Sequence, residues 1–332
     1  MLKKISVFFG LIAGLVLLLS ACGATATPAT SAPSSTKKLK VVTTVAPLTN
    51  IVLNIGGNRI DLKGIVPDGM DSHTFEPAPS DSKFFADADL IIVNGLRLEE
   101  PTLKLAEASK KKNTTILKLG DNTLTEKDWI FDFSFPKDKG DPNPHVWMSA
   151  KYVQNFGKLV HSELVKLDSA GKDYYDKNLA AFNSRIQILD EAMRTAANTV
   201  PAEQRRLLTY HDSWAYWARD YGWTVLGAIQ PANFSEPSSK EVAEIIDQIK
   251  KEKIKAIFGS EVFPSPILEQ ISKESGAKYI DELSDDELPG QPTAPEHTYY
   301  GMMLKNMRIM IPALGGNIDA FKNFAVENTY QK

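Results

Sequence analysis

Between Lys172 and Val200 the chain runs without a glycine or a proline, and this stretch divides it into two halves of the same kind. Tyr175, Leu179, Phe182, Ile186, Leu189, Met193 and Ala196 recur at alternating steps of four and three, which lays one narrow apolar seam along an α-helix. Such a helix would be about 40 Å long at ~1.5 Å per residue. On either side, short β-branched runs alternate with helical patterns. LKVVTTV, IDLKGIV, LIIVNG and TTILKL come before it; RRLLTY, TVLGAI, AIFGS and KYIDEL come after. Strands that alternate with helices pair in parallel. The expected fold class is therefore α/β, with two similar lobes, each a four-stranded, mostly parallel sheet flanked by helices. The residues alone allow two roles for the central helix: a surface helix lying along one lobe, or a stiff rod joining both.

The 332 residues suit two domains. A net charge of -3 and the lack of a basic stretch give no sign of a nucleic-acid partner. The N-terminus is a different matter. MLKK is a basic start, and Ile5 to Leu19 is apolar but shorter than the roughly 20 residues that span a bilayer. This is the pattern of a secretory leader. LSAC, Leu19 to Cys22, resembles the lipobox of bacterial lipoproteins, in which cleavage precedes a cysteine that carries lipid. Cys22 is also the only cysteine. The exported part then has no disulfide and no thiolate ligand, so a metal must be held by nitrogen and oxygen. Gly23 to Thr36, rich in Ala, Thr, Ser and Pro, reads as a flexible tether. The expected order is leader (1–21), lipidated cysteine and tether (22–37), first lobe (38–171), linking helix (172–200) and second lobe (201–332).

Three of the five histidines fall in loops where strands end, the place where open α/β sheets bind ligands. His73 sits in PDGMDSHTFEPAPSD, His145 in GDPNPHVWMSA and His211 in LLTYHDSWAYW. His161 lies within a helical pattern and reads as a solvent-facing passenger; His297 reads as a residue at the start of the last helix. Three imidazoles suit zinc and its neighbours, and their separation is too great for a small structural zinc motif. A fourth ligand must be a carboxylate. YIDELSDDELPG offers Asp281, Asp285 and Asp286 just past the last strand, although such a run can equally be a solvated acidic turn.

DSHTFEPAPSD, NPHVWMS and HDSWAYWARDYG, in that order, resemble the zinc- or manganese-binding solute-binding proteins of bacterial ABC importers (cluster A-I). The resemblance runs from VVTTVAPLTNIV to YYGMMLKNM. It implies two α/β lobes joined by one long rigid helix, with a single metal site in the cleft, and so favours the rod. Carried over by position, it places metal ligands at His73, His145, His211 and Asp285. The third position is His or Glu in the family. At the fourth, ELSDDELPG departs from the usual small residue, Asp and Ser, which keeps Asp286 as an alternative. Glu261 in FGSEVFPSP matches a family motif and is expected in the cleft, behind the ligands. Glu76, Asn143, Asp212 and Ser213 are expected to orient the rings. Pro142 and Pro144 restrict φ and hold the approach to His145 extended, which limits the entropy lost when that ring binds.

Three nitrogens and one oxygen favour tetrahedral Zn2+, whereas Mn2+ usually takes more oxygen. Against this, the loop from Asp121 to Pro144 contains Asp121, Asp128, Asp132, Asp138 and Asp141 but no histidine; many zinc importers of the family carry a His-rich stretch there. The expected function is capture of Zn2+ outside the cytoplasm, on the outer face of the cell membrane or in the periplasm. Delivery would be to an ABC permease with a cytoplasmic ATPase, by a lipid-anchored monomer. A manganese or mixed receptor and a surface adhesin are the alternatives. An enzyme is not expected, because no H-E-x-x-H occurs and four protein ligands leave no open position for water. Binding should weaken as pH falls through the ordinary imidazole range near ~6.5.

Overall fold

All eight β-branched runs form strands, and the Gly- and Pro-free stretch forms one helix. The computed structural model describes residues 37–332 apart from Pro264. The predicted leader, Cys22 and all of the tether before Lys37 lie outside the described residues. The first lobe contains β1 (Leu39–Thr43), α1 (Ala46–Gly56), β2 (Ile60–Gly64), α2 (Ser82–Asp87) and β3 (Leu90–Val93). It continues with α3 (Glu100–Ser109), β4 (Thr115–Lys118), α4 (Leu119–Thr123) and α5 (Ala150–Leu167). Helix α6 (Lys172–Thr199) links the lobes. The second lobe contains β5 (Arg206–Thr209), α7 (Ala215–Tyr221), β6 (Thr224–Ala228), α8 (Ser239–Glu252) and β7 (Ala256–Ser260). It closes with α9 (Ile267–Ser275), β8 (Lys278–Leu283) and α10 (Tyr299–Ala313).

The sheets run β2-β1-β3-β4 and β6-β5-β7-β8, with every pair parallel. Both therefore reverse direction at their first strand, and the strand ends beside that reversal are the natural ligand sites. Loops at these ends need tight geometry. Gly95, just past β3, adopts φ +79°, and a Cβ there would run into the Asp121 carboxylate, so glycine is required.

One apolar cluster runs without a break from Val41 and Leu48 of the first lobe, through Phe182, Ile186 and Leu189 of α6, to Trp217 and Met307 of the second. Helix α6 packs on α1 and α5 on one side and on α7 and α10 on the other. Its 28 residues span about 42 Å at ~1.5 Å each. The apolar seam is buried along its length, with Leu179 half-buried. Arg205 covers the far end of the helix, donating to the carbonyls of Val200 and Asn198 at 3.0 Å each. The opposite face of each sheet has its own smaller core, around Phe85 and Ile91 in one lobe and around Leu208 and Ile246 in the other. The chain end then crosses back to the first lobe. There Asn328 Oδ1 accepts from Asn50 and Asn54 of α1 at 3.0 and 2.8 Å, and the Gln331 N–H donates to Asn178 of α6 at 2.9 Å. A continuous core plus this strap restrains the hinge. Among the described residues, no helix is long and apolar enough to cross a membrane.

Candidate metal centre

Loops from both lobes bring three imidazoles to one point. His73 lies on the loop after β2, His145 on the approach to α5, and His211 two residues past β5. Nε2 of His145 is 3.2 Å from Nε2 of His73 and 3.0 Å from Nε2 of His211. Asp285, two residues past β8, supplies an oxygen: its Oδ2 is 3.6 Å from His211 Nε2 and 3.8 Å from His145 Nε2. Donors around a tetrahedral zinc with ~2.1 Å bonds stand about 3.4 Å apart. The three imidazoles, with ligand nitrogens all within 4.8 Å of one another, suit one ion, and Asp285 stands beside two of them. Asp285 Oδ2 is also buried and has no hydrogen-bond partner among the described residues, so it is a buried acceptor that a cation would satisfy.

Two of the rings are fixed by side-chain amides. His145 Nδ1 is 2.8 Å from Asn143 Oδ1. The amide of Asn143 cannot turn over, because its nitrogen donates to Asp132 Oδ2 at 2.9 Å and to the Asp212 carbonyl at 2.8 Å. His145 must therefore donate from Nδ1, which leaves the Nε2 lone pair facing the cleft. His211 repeats the arrangement: Nδ1 is 2.7 Å from Gln230 Oε1, while the Gln230 nitrogen donates to the Phe234 carbonyl at 3.2 Å. Two Nε2 atoms facing each other across 3.0 Å need a metal ion or a shared proton between them. His73 differs. It is half-buried and stacks on Phe234, with ring centroids 4.3 Å apart and an interplanar angle of 17°.

Burial sets the charges. It drives His73 and His145 well below the ordinary imidazole range, with neighbouring histidines adding to the effect. Both rings are therefore neutral, the form that binds metal. Burial, reinforced by Asp286, raises Asp285 well above the carboxylate range. It lifts Asp286 to about 7 against the pull of His211, and Glu261 to about 8 with help from Asp285.

The other predicted residues take separate places. Asp286 accepts from the Ser72 N–H through Oδ2 at 3.1 Å, steadying the chain before His73, and its Oδ1 is buried without a hydrogen-bond partner among the described residues. Glu261 orients no ring; its Oε1 accepts from the N–H groups of Asp285, Asp286 and Glu287 at 2.7, 2.9 and 3.1 Å. It thus holds the backbone that carries Asp285. The Ser213 hydroxyl is buried and has no hydrogen-bond partner among the described residues. Asp212 acts through its carbonyl on Asn143, and its carboxylate accepts from the Ser134 N–H at 2.8 Å. Glu76 is a correction: it is exposed and makes no hydrogen bond to a site ring among the described residues, since its loop turns it toward water. Asp281 lies within β8 and is exposed. His161 is a second correction, because it is half-buried and pairs with Asp176 of α6 at 2.7 Å. Sequence reasoning missed Gln230, Phe135 and Phe234. Gln230 lies two residues past β6, the same position that singled out His211 past β5.

Residues 41–313 match the family described as zinc-uptake complex component A, periplasmic (ZnuA). The manganese ABC transporter substrate-binding lipoprotein PsaA of Streptococcus pneumoniae is 28% identical over 311 residues, covering 92% of this chain and 97% of PsaA. The iron-binding protein YfeA of Yersinia pestis is 31% identical over 302 residues, 90% of this chain and 94% of YfeA. Among solved structures, the periplasmic zinc-binding protein TroA of Treponema pallidum superposes with a TM-score of 0.76 at 28% identity, over 83% of this chain and 99% of TroA.

Proposed function

Because the chain belongs to the periplasmic zinc-uptake component A family, it is a metal-binding receptor of an ABC transporter and not an enzyme, and we propose that its cargo is Zn2+, held by His73, His145, His211 and Asp285. One observation carries the choice of ion: three imidazole nitrogens lie within 4.8 Å of one another, with a single carboxylate oxygen 3.6 and 3.8 Å from two of them, and a set of three nitrogens and one oxygen suits tetrahedral zinc. Asn143 and Gln230 fix the tautomers, and Glu261 fixes the loop of Asp285. The ion is handed to a membrane permease that a cytoplasmic ATPase drives. The continuous core across α6 favours release by rearrangement of site loops with modest lobe motion. In this reading residues 1–21 are removed on export and lipid on Cys22 anchors the protein outside the cytoplasm. The tether ends near residue 37, and the lobes comprise 38–171 and 201–332 on either side of the 172–200 linker.

Manganese is the second reading. It is favoured by the name of PsaA and by the absence of histidine from Asp121 to Pro144. The name of YfeA adds iron to the set of ions to be tried. Metal-stripped protein titrated with zinc and with manganese against competing chelators at neutral pH separates these readings. Tight zinc with weak manganese is the expected result. Equal retention of manganese would move the assignment to the second reading, and binding of neither ion would remove the receptor site altogether.

A further inference from the structure

The three imidazoles are not held alike. His145 and His211 are each pinned through Nδ1 by a side-chain amide, and both are buried. His73 has no partner for Nδ1 among the described residues. Its backbone N–H donates to Asp71 Oδ1 at 2.9 Å, but its ring is positioned by aromatic faces: Phe234 at 4.3 Å and Phe135 at 5.6 Å between centroids. His73 is also the one site histidine that lines a cavity of about 280 Å³ opening beside the centre.

The backbone around that cavity is strained. Leu96, Arg97 and Phe234, with φ of +50°, +63° and +59°, are three of the four non-glycine residues with positive φ among the described residues. All three line this cavity; the fourth, Lys253, ends α8. A bulky side chain in the left-handed region is uncommon, and such strain gathers where a ligand is clamped. Phe234 is tied to the centre a second time. Its carbonyl accepts from the same Gln230 whose Oε1 holds His211. Displacing Phe234 would thus uncover His73 and disturb the support of His211 together.

We propose that His73 is the exchange ligand, the first to leave the ion and the last to engage it, and that Phe234 is the residue that positions it and closes the cavity through which the ion passes. The proposal rests on the metal-receptor reading above. It makes Phe234 a kinetic element: its ring sets how fast the ion enters and leaves, while the four donors set how tightly it is held.

The test is stopped-flow mixing of the zinc-loaded protein with excess chelator, and of the metal-free protein with zinc, for the wild type, Phe234→Ala and Phe234→Tyr. Phe234→Ala should speed dissociation by about five- to tenfold, the change expected from losing one aromatic contact. Association should rise with it, so that Kd moves by less than about threefold. Phe234→Tyr, which keeps the face, should restore wild-type rates. The cobalt(II) absorption spectrum of Phe234→Ala should match the wild type, because the donors are untouched. Phe234→Asn lacks the ring and suits a left-handed backbone; it should reproduce the acceleration if the alanine variant folds poorly. A Phe234→Ala protein with wild-type exchange rates would overturn the proposal, as would faster dissociation with unchanged association. A wild-type protein that takes up neither zinc nor manganese would overturn the receptor reading itself, an outcome visible before any variant is made.

Discussion

Nδ1 of His211 lies 2.7 Å from Gln230 Oε1, so an uncharged amide past β6 decides which nitrogen of the ring faces the cleft. Without it the ring can donate from Nε2 and turn its lone pair away from the centre. Gln230→Ala should weaken zinc binding by roughly 10–100-fold, the usual cost of losing a partner that orients a ligand. Chelator competition would measure it. Thermal unfolding of the metal-free protein should change much less, since the glutamine buries little apolar surface. Unaltered zinc affinity would mean that Phe263, stacked on the same ring at 5.0 Å, orients it unaided.

Adjacent carboxylates at 285 and 286 should respond differently to removal. Asp285 Oδ2 faces the imidazoles, whereas Asp286 Oδ2 is occupied by the Ser72 N–H. Asp285→Ala should reduce zinc affinity by more than the ~100-fold at which outer contacts reach their limit. Asp286→Ala, which only loosens the chain before His73, should cost less than ~10-fold. Equilibrium titration of both variants against one chelator compares them directly. The reverse order would exchange their roles.

Much of this was readable in the sequence because it depended on local pattern. The strands were bounded by turn residues and rich in β-branched side chains. The seam of α6 was a clean helical period, and His73 and His211 stood in strand-end loops, whereas His145 lies between α4 and α5. What escaped depended on tertiary neighbours. Gln230 neither titrates nor alternates, so only its distance to His211 reveals its task. Phe234 reads as an ordinary loop aromatic until its φ of +59° and its stacking on His73 are seen. Asp132 read as one of several loop acids, yet it is half-buried against Asp212 and Asn143, and burial with the Asp212 charge pushes it to about 9. Glu76 failed the other way: closeness in sequence to His73 suggested a contact that the loop does not make.

Buried carboxyl groups at the centre add their own pH dependence to metal binding. Burial holds His73 and His145 well below the imidazole range, so these two rings stay open to metal near pH 6.5. Asp285 is raised by burial and by Asp286, and Asp286 itself lies at about 7. In the metal-free protein these groups retain protons that a divalent ion displaces, so affinity rises with pH through the raised carboxyl range. Calorimetric zinc titrations at pH 7, repeated in buffers of different ionisation enthalpy, should report release of about one proton per ion. Zero release, with binding lost only on the curve of an ordinary imidazole, would contradict this account.

Glu99 links stability to the same loop. It is 2% exposed, and burial lifts its carboxyl from 4.5 to about 7, against hydrogen bonds from Asn94, Thr44 and Gly95. Asn94 in turn donates to the Pro144 carbonyl at 2.9 Å, beside His145. A carboxyl raised in the folded state stabilises below its unfolded value and loses that contribution as pH rises through its folded value. The stabilisation is therefore complete below pH 4.5 and fades on the way to about 7, worth about 3 kcal/mol across that window. Glu99→Gln removes the titration and surrenders the bond from the Gly95 N–H to Oε2, a cost of about 1 kcal/mol at every pH. Urea unfolding of the metal-free proteins from pH 4.5 to 8 should show the wild type falling relative to the variant by that larger amount. Parallel profiles would mean that the Glu99 carboxyl ionises in the folded protein as it does in water, and that the anchor under His145 carries no pH dependence.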